Sequence, residues 1–299
     1  MTMIYSLTFV LTLFGAACFA GFFGALLGVG GGIFIVPIMV LLFHLPVKIA
    51  VAASLVSVIA TSNAGGSSYV DQRITNLRLG MFLEIATTIG AVSGTVLALY
   101  LHEWMMLIIF ALLLAYMSYS SFRTRKVDDE RIAAGDFARV KPDRLARFLD
   151  LRGSYHDEAA DRTVDYVATR VPTGTFVAWL AGLASGLLGV GGGVLKVSAM
   201  NSYMNVPMKV AVGTSKLMIG VTAAVGSILF FMAGLIHFYV VAPVAVGTTS
   251  GATVGTMIMN RLHSESLKWL FAALMIYLAY EMFAKALLLR FHLQLPLPV

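Results

Sequence analysis

Two glycine runs, Gly30–Gly32 and Gly191–Gly193, sit inside strongly apolar sequence, each closing a copy of the string LLGVGGG. Glycine reaches backbone angles that a Cβ forbids, so such a run can turn sharply and present N–H groups that no helix has paired. In hydrocarbon an unpaired backbone group costs several kcal/mol, which confines irregular backbone at that depth to protein interior or a wet cavity. Short apolar segments begin directly after the runs, at Ile33 and Val194. As helices they would point the positive ends of their dipoles at the glycines. The chemistry this permits is non-covalent: a small anion held on backbone N–H groups. The competing reading is packing, because small residues let helices approach closely, and Gly21, Gly24 and Gly28 suit it well.

Charged and hydroxyl side chains near the runs sharpen the anion reading. Lys196 and Lys216 lie deep in apolar sequence, where an ionisable group is costly and usually functional. Lys196 falls within the first turn of its short helix, where a cation opposes the dipole. No Asp or Glu occurs between Pro172 and Arg261, so the expected partner of Lys196 is the substrate; snorkelling to the surface is the alternative. Ser54 and Ser215 follow the runs on the next helices and could donate to an anion's oxygens, or serve as interhelical glue. Neighbouring hydroxyls, among them Ser57, Thr61 and Thr222, read as packing. Glu84 is the one acid well inside an apolar stretch, and three roles are open to it: pairing with a buried lysine, carrying a coupling proton, or lying at the interface. The candidate binding set is Gly30, Gly31, Gly32, Ser54, Gly191, Gly192, Gly193, Lys196, Ser215 and Lys216. No HExxH, P-loop or nucleophile elbow is present, so no catalytic residue, metal or cofactor is expected.

The elements that must position these residues come in two copies. At a constant offset of 161 positions (Gly28 to Gly189), Pro46-Val-Lys48 falls on Pro207-Met-Lys209. Ser54 likewise falls on Ser215, Thr61 on Thr222, Gly94-Thr95 on Gly255-Thr256 and His102 on His263. Such duplication, interrupted by glycine in corresponding places, is how many secondary transporters are built. Lys196 and Lys216 break it, since their equivalents are Ile35 and Leu55.

Composition agrees. The chain has 299 residues, 59% hydrophobic and 12% charged, with mean hydropathy +0.87. Soluble domains carry about 25% charged residues. A net charge of +6 without a compact basic domain is no nucleic-acid signature, and Cys18 alone excludes an intramolecular disulfide. Apolar stretches of spanning length run near 49–70, 79–101, 104–122, 209–231, 238–260 and 267–289, with 5–27 a retained first helix. The pieces after the glycines are too short to cross, so each reads as one arm of a hairpin tipped by glycine and closed by Pro46 or Pro207.

The segment 123–170 is the opposite in character, holding most of the acids and about half of the Lys and Arg. It reads as a cytoplasmic connector between repeats at 1–122 and 171–299. Leu145, Phe148, Leu149 and Leu151 hint at a short amphipathic helix. Arg73 and Arg78 have no basic counterparts around Ala233–Phe238, whereas Arg261 and Lys268 have none near His102, so the charge bias changes sides between copies. The expectation is an all-α polytopic bundle of two inverted repeats. Lys285 and Arg290, near an outward C-terminus, run against it.

The tandem LLGVGGG strings, each followed by Pro-x-Lys-x-Ala, resemble the sulfite exporter TauE/SafE family, also called the toluene-sulfonate uptake permease family. The resemblance implies an inner-membrane carrier of sulfite, thiosulfate, sulfoacetate or another sulfonate. Its Gly-Gly-x-x-x-x-Pro pattern is kept at Pro37 but not at the equivalent Ser198. The expected partners are a small anion and the lipid bilayer, with a homodimer open and nucleic acid excluded. An anion channel, or a scaffold regulated through 123–170, is the alternative.

Overall fold

The computed structural model describes residues 7–26, 31–71, 74–123, 137, 143–157, 162–259 and 264–291. The first half contains α1 (Leu7–Leu26), α2 (Gly32–Leu41), α3 (Val47–Asp71), α4 (Leu77–Tyr100) and α5 (Glu103–Arg123). The middle segment carries α6 (Arg144–Phe148) and the strands β1 (Arg152–Asp157) and β2 (Arg162–Val167). The second half contains α7 (Val171–Leu188), α8 (Gly193–Ser198) running into a π-helical turn at Ala199–Tyr203, α9 (Met208–Met232), α10 (Phe238–Met259) and α11 (Ser264–Phe291). Six helices among the described residues are long and apolar enough to cross a membrane: α1, α4, α7, α9, α10 and α11. The protein is an all-α polytopic bundle, as the apolar runs require.

The offset of 161 positions maps α3 onto α9 end for end. It also maps His44 onto Asn205, both left-handed at φ 52° and 59°, just ahead of the prolines that open α3 and α9. Packing repeats in the same way: α1 lies on α10 as α7 lies on α4, α3 lies on α10 as α9 lies on α4, and the pairs α3–α9 and α5–α11 cross the centre.

Named contacts fix the helix directions. Phe9 meets Phe43 and Phe23 meets Phe34, with ring centroids at 5.6 and 6.5 Å, so α1 and the short arm α2 form an antiparallel hairpin. A Cβ at Gly182 would lie 2.0 Å from Thr87 O, and one at Gly186 would lie 2.2 Å from Ala91 O; α4 and α7 therefore run parallel, backbone on backbone. Asn76 N–H donates to Thr214 at 3.0 Å while Thr222 reaches Glu84 at 2.8 Å, so α4 also runs parallel to α9. Gly226 faces Leu55, and Gly191 is wedged between Val58 and Ile219, so α3 and α9 are antiparallel. The equivalent helices α3 and α9 of the two halves consequently point in opposite directions.

The middle segment is more structured than a solvated linker. The expected helix is the single turn α6, capped by Asp143, which accepts from Ala146 N–H at 3.1 Å. The antiparallel β1–β2 hairpin, which hydropathy does not announce, pairs Arg152 with Val167 through Asp157 with Arg162. Phe137, Leu151, Tyr155 and Tyr166 bury against Leu79 and Leu83 of α4 and against Met200 and Met204 of the π turn. Asn76 donates to the Tyr166 hydroxyl at 2.9 Å, and Asn205 donates to Phe137 O at 3.0 Å. At the rim Arg78 bonds Asp150 at 2.6 Å and Arg152 bonds the same carboxylate, holding its pKa below the ordinary value. This segment is thus docked on the face where α4 and α9 begin.

Candidate functional site

The hairpin tips are buried, and they meet. The missing side chain of Gly32 faces the Gly189 carbonyl, which would lie 2.7 Å from a Cβ there. Ser54 Oγ donates to Gly189 O at 2.7 Å and also reaches Gly32 O at 3.3 Å, touching the tips of both halves. Ser215 Oγ repeats half of this, donating to Gly193 O at 3.1 Å. A serine on each long helix therefore holds a tip by its carbonyl, and the hydroxyl proton expected for an anion is committed to backbone.

The tips are not conformational copies. Gly31 is right-handed at φ −62°, with its nearest would-be Cβ neighbour at 3.5 Å. Its equivalent Gly192 is left-handed at φ +66° and close against Ala181 O, and Gly189 and Gly191 are left-handed too. The demand for positive φ thus falls on the second tip among the described residues; Gly30 lies outside them. Beyond the tips, α2 is a ten-residue helix through Pro37, whereas α8 is six residues long and passes into the π turn. The first backbone bond of α8 runs from Lys196 N–H to Gly192 O at 2.9 Å, so the amides before it are those that a helix start leaves without an intrahelical acceptor. Beside them Ser185 Oγ is fully buried with no partner. Its Cβ lies 3.3 Å from where a Gly192 Cβ would be. Sequence reasoning missed Ser185; the signal was its equivalent Gly24, which carries no hydroxyl.

Lys196 does not snorkel, since its side chain is 1% exposed. Nor is it without an acid. Nζ donates to Met218 O at 3.2 Å and to Thr222 Oγ1, and it stands 4.0 Å from Glu84 Oε2. Thr222 Oγ1 donates in turn to Glu84 Oε1 at 2.8 Å, and Thr87 and Thr88 hydroxyls reach the same carboxylate at 3.1 and 3.3 Å. The expectation that the partner of Lys196 is the substrate is corrected on this point, since Glu84 stands beside it. The acid comes from α4 in the other half, where a search along the second half could not find it. Thr222, read as packing, bridges the pair. Lys216 is half-buried on α9, while its equivalent Leu55 is fully buried against Gly226.

The remaining buried lysines cap helices. Lys48 Nζ donates to Leu99 O at 2.6 Å, near the C-terminus of α4, and Lys285 Nζ donates to Val40 O near that of α2. A cation at either place offsets the negative end of a helix dipole.

Comparison with known proteins addresses the whole arrangement. The family described as Sulfite exporter TauE/SafE matches residues 13–282. "Probable membrane transporter protein YunE" of Bacillus subtilis (strain 168) is 24% identical over 255 residues, 83% of this chain and 88% of the relative. "Probable membrane transporter protein YdhB" of the same organism is 25% identical over 259 residues, covering 87% and 92%. A "Probable membrane transporter protein" of Xylella fastidiosa (strain Temecula1 / ATCC 700964) is 24% identical over 252 residues, covering 84% and 85%. No solved structure matches. The family match takes in both tips, both long central helices and the helices around them, so the chain belongs to the sulfite exporter TauE/SafE family and is a multi-pass membrane transporter, not an enzyme.

Proposed function

We propose that this transporter carries a small sulfur-containing anion, such as sulfite, thiosulfate, sulfoacetate or another organosulfonate, across the inner membrane by alternating access. The observation that carries the reading is the junction of the two tips, where Ser54 touches Gly32 O and Gly189 O together. The long helices α3 and α9, one from each half, are antiparallel, which supports a rocking of one half against the other that would open the junction to one face at a time. In this reading the repeats 1–122 and 171–299 are inverted in the bilayer and the connector 123–170 is cytoplasmic. The tip amides, the Ser185 hydroxyl and Lys196 face the anion; Ser54 and Ser215 are positioning residues.

The test is transport by the purified chain in proteoliposomes, using radiolabelled sulfite, thiosulfate and sulfoacetate in turn. Saturable uptake with counterflow of at least one anion is expected. Flux that rises linearly with concentration and shows no counterflow would make the protein a channel. If none of the three moves, the substrate class is wrong. A thermal-shift screen narrows the choice beforehand, since a ligand at 100 times its Kd adds about 2.7 kcal/mol of stability.

A further inference from the structure

We infer that Glu84, Thr222 and Lys196 form a proton-coupled anion switch, in which protonation of Glu84 releases Lys196 to the transported anion. The inference rests on the transport reading above and adds the coupling ion to it.

The first support is the break in symmetry. The equivalents of Glu84, Thr222 and Lys196 are Ala245, Thr61 and Ile35. The other half closes the same junction with an alanine, a threonine and a fully buried isoleucine. Thr87 and Thr88 are kept there as Thr248 and Thr249, whose hydroxyls turn back onto their own helix at Ala245 O. The fold therefore packs this junction without a charge, and the charged version calls for another reason.

The second support is the geometry of the bridge. Lys196 donates to Thr222 Oγ1, and the single Thr222 proton has two near acceptors, Glu84 Oε1 at 2.8 Å and Met218 O at 2.9 Å, with Thr87 Oγ1 farther off at 3.5 Å. With Glu84 ionised, the proton points at the carboxylate, the pair is neutral and Lys196 is occupied. A proton arriving on Glu84 fills one of its oxygens, so the Thr222 hydroxyl turns to Met218 O and the ammonium is left buried without a counter-charge. Such an ion needs an anion beside it, and Lys196 stands one helical turn from the second tip. The carboxylate is 15% exposed against 1% for the lysine, so Glu84 is the member that water can reach.

Few other ionisable side chains lie on the elements around the switch. Among the described residues, α4 also carries Arg78, bound to Asp150 at the rim, and Tyr100 at its far end. Helix α9 carries Lys209 and Lys216, the π turn carries Tyr203, and α7 has no ionisable side chain. One proton on Glu84 and one anion at Lys196 move together, and the proton leaves Glu84 when the anion departs on the far side.

The experiment uses the full chain in proteoliposomes clamped at zero membrane potential, with the same three labelled anions. For wild type, an acid-outside step of one pH unit should raise the accumulation of the transported anion about tenfold at equilibrium. Glu84→Gln keeps the shape and hydrogen-bonding capacity but cannot titrate; it should exchange anion by counterflow, at a reduced rate, with no accumulation on the pH step. Counterflow in wild type with a flat response to pH overturns the inference and leaves the transport reading standing, and this arm needs no variant to fold. Accumulation by Glu84→Gln equal to wild type overturns it too. Absence of any wild-type counterflow removes both.

Discussion

Ser54 Oγ donates to Gly189 O at 2.7 Å, joining a helix of the first half to the glycine tip of the second. Among the described residues Ser215, its equivalent, bonds the tip of its own half, so the described bonds load the two serines unequally. Ser54→Ala should lower stability by about 1–3 kcal/mol, because a buried carbonyl loses its partner. Ser215→Ala should cost less, and thermal unfolding in detergent should rank the two in that order. Equal losses would mean the cross-half bond contributes nothing.

The glycines should divide by backbone angle. Gly31→Ala places a Cβ in ordinary space at φ −62° and should leave stability nearly unchanged. Gly192→Ala forces a Cβ into a left-handed residue and against Ala181 O, and should cost more than about 1 kcal/mol. Unfolding midpoints of the two variants check this; a tolerated Gly192→Ala would show that the second tip can relax to the shape of the first.

Lys196→Met should abolish anion transport and also destabilise, since removing one partner of a buried ion pair costs about 3–5 kcal/mol. Adding Glu84→Gln should recover much of the stability and none of the transport. The double variant separates folding from function: if it transports like wild type, Lys196 and Glu84 are a structural pair only.

The proposed inversion of the repeats predicts that Ala233, at the end of α9, lies on the face opposite Arg147 in the docked connector. With Cys18 replaced by Ala, a cysteine at Ala233 should react with an impermeant thiol reagent from outside the cell. One at Arg147 should react only after permeabilisation. Labelling of both from the same side would end the inverted arrangement.

Asp150 gives the connector a pH dependence. Bonds from Arg78 and then Arg152 hold its carboxyl below the ordinary value. A depressed acid contributes stability that is complete above its unfolded pKa and is lost as pH falls through the lower folded one. Asp150→Asn should therefore unfold at a lower temperature than wild type near neutral pH, with the gap closing below the ordinary carboxylate range. A gap independent of pH would assign the effect to shape instead of charge.

Local features were legible without coordinates. The doubled glycine strings, the prolines after them and the long apolar runs predict two units with hairpins, and α3 and α9 obey the offset to the residue. Hydrophobic span and helix-breaking residues act over a few turns, so a linear reading finds them. The same reading singled out Glu84 and Lys196, each by itself and not as a pair, because a charge in apolar sequence is conspicuous wherever it lies.

What tertiary structure decided is partnership. Glu84 and Lys196 stand on different halves, and only the parallel packing of α4 on α9 brings them within 4.0 Å. The β1–β2 hairpin escaped because its strands are short and polar, and their buried face is covered by another part of the chain. Gly31 and Gly192 are identical in sequence yet differ in the sign of φ, and each meets the equivalent carbonyl of its hairpin at a different separation: a Cβ would lie 3.7 Å from Ala20 O in one case and 2.6 Å from Ala181 O in the other. Sequence sets which residues can turn, bury or ionise. Which of them face one another is fixed by close-packed helices, whose contacts join residues far apart along the chain.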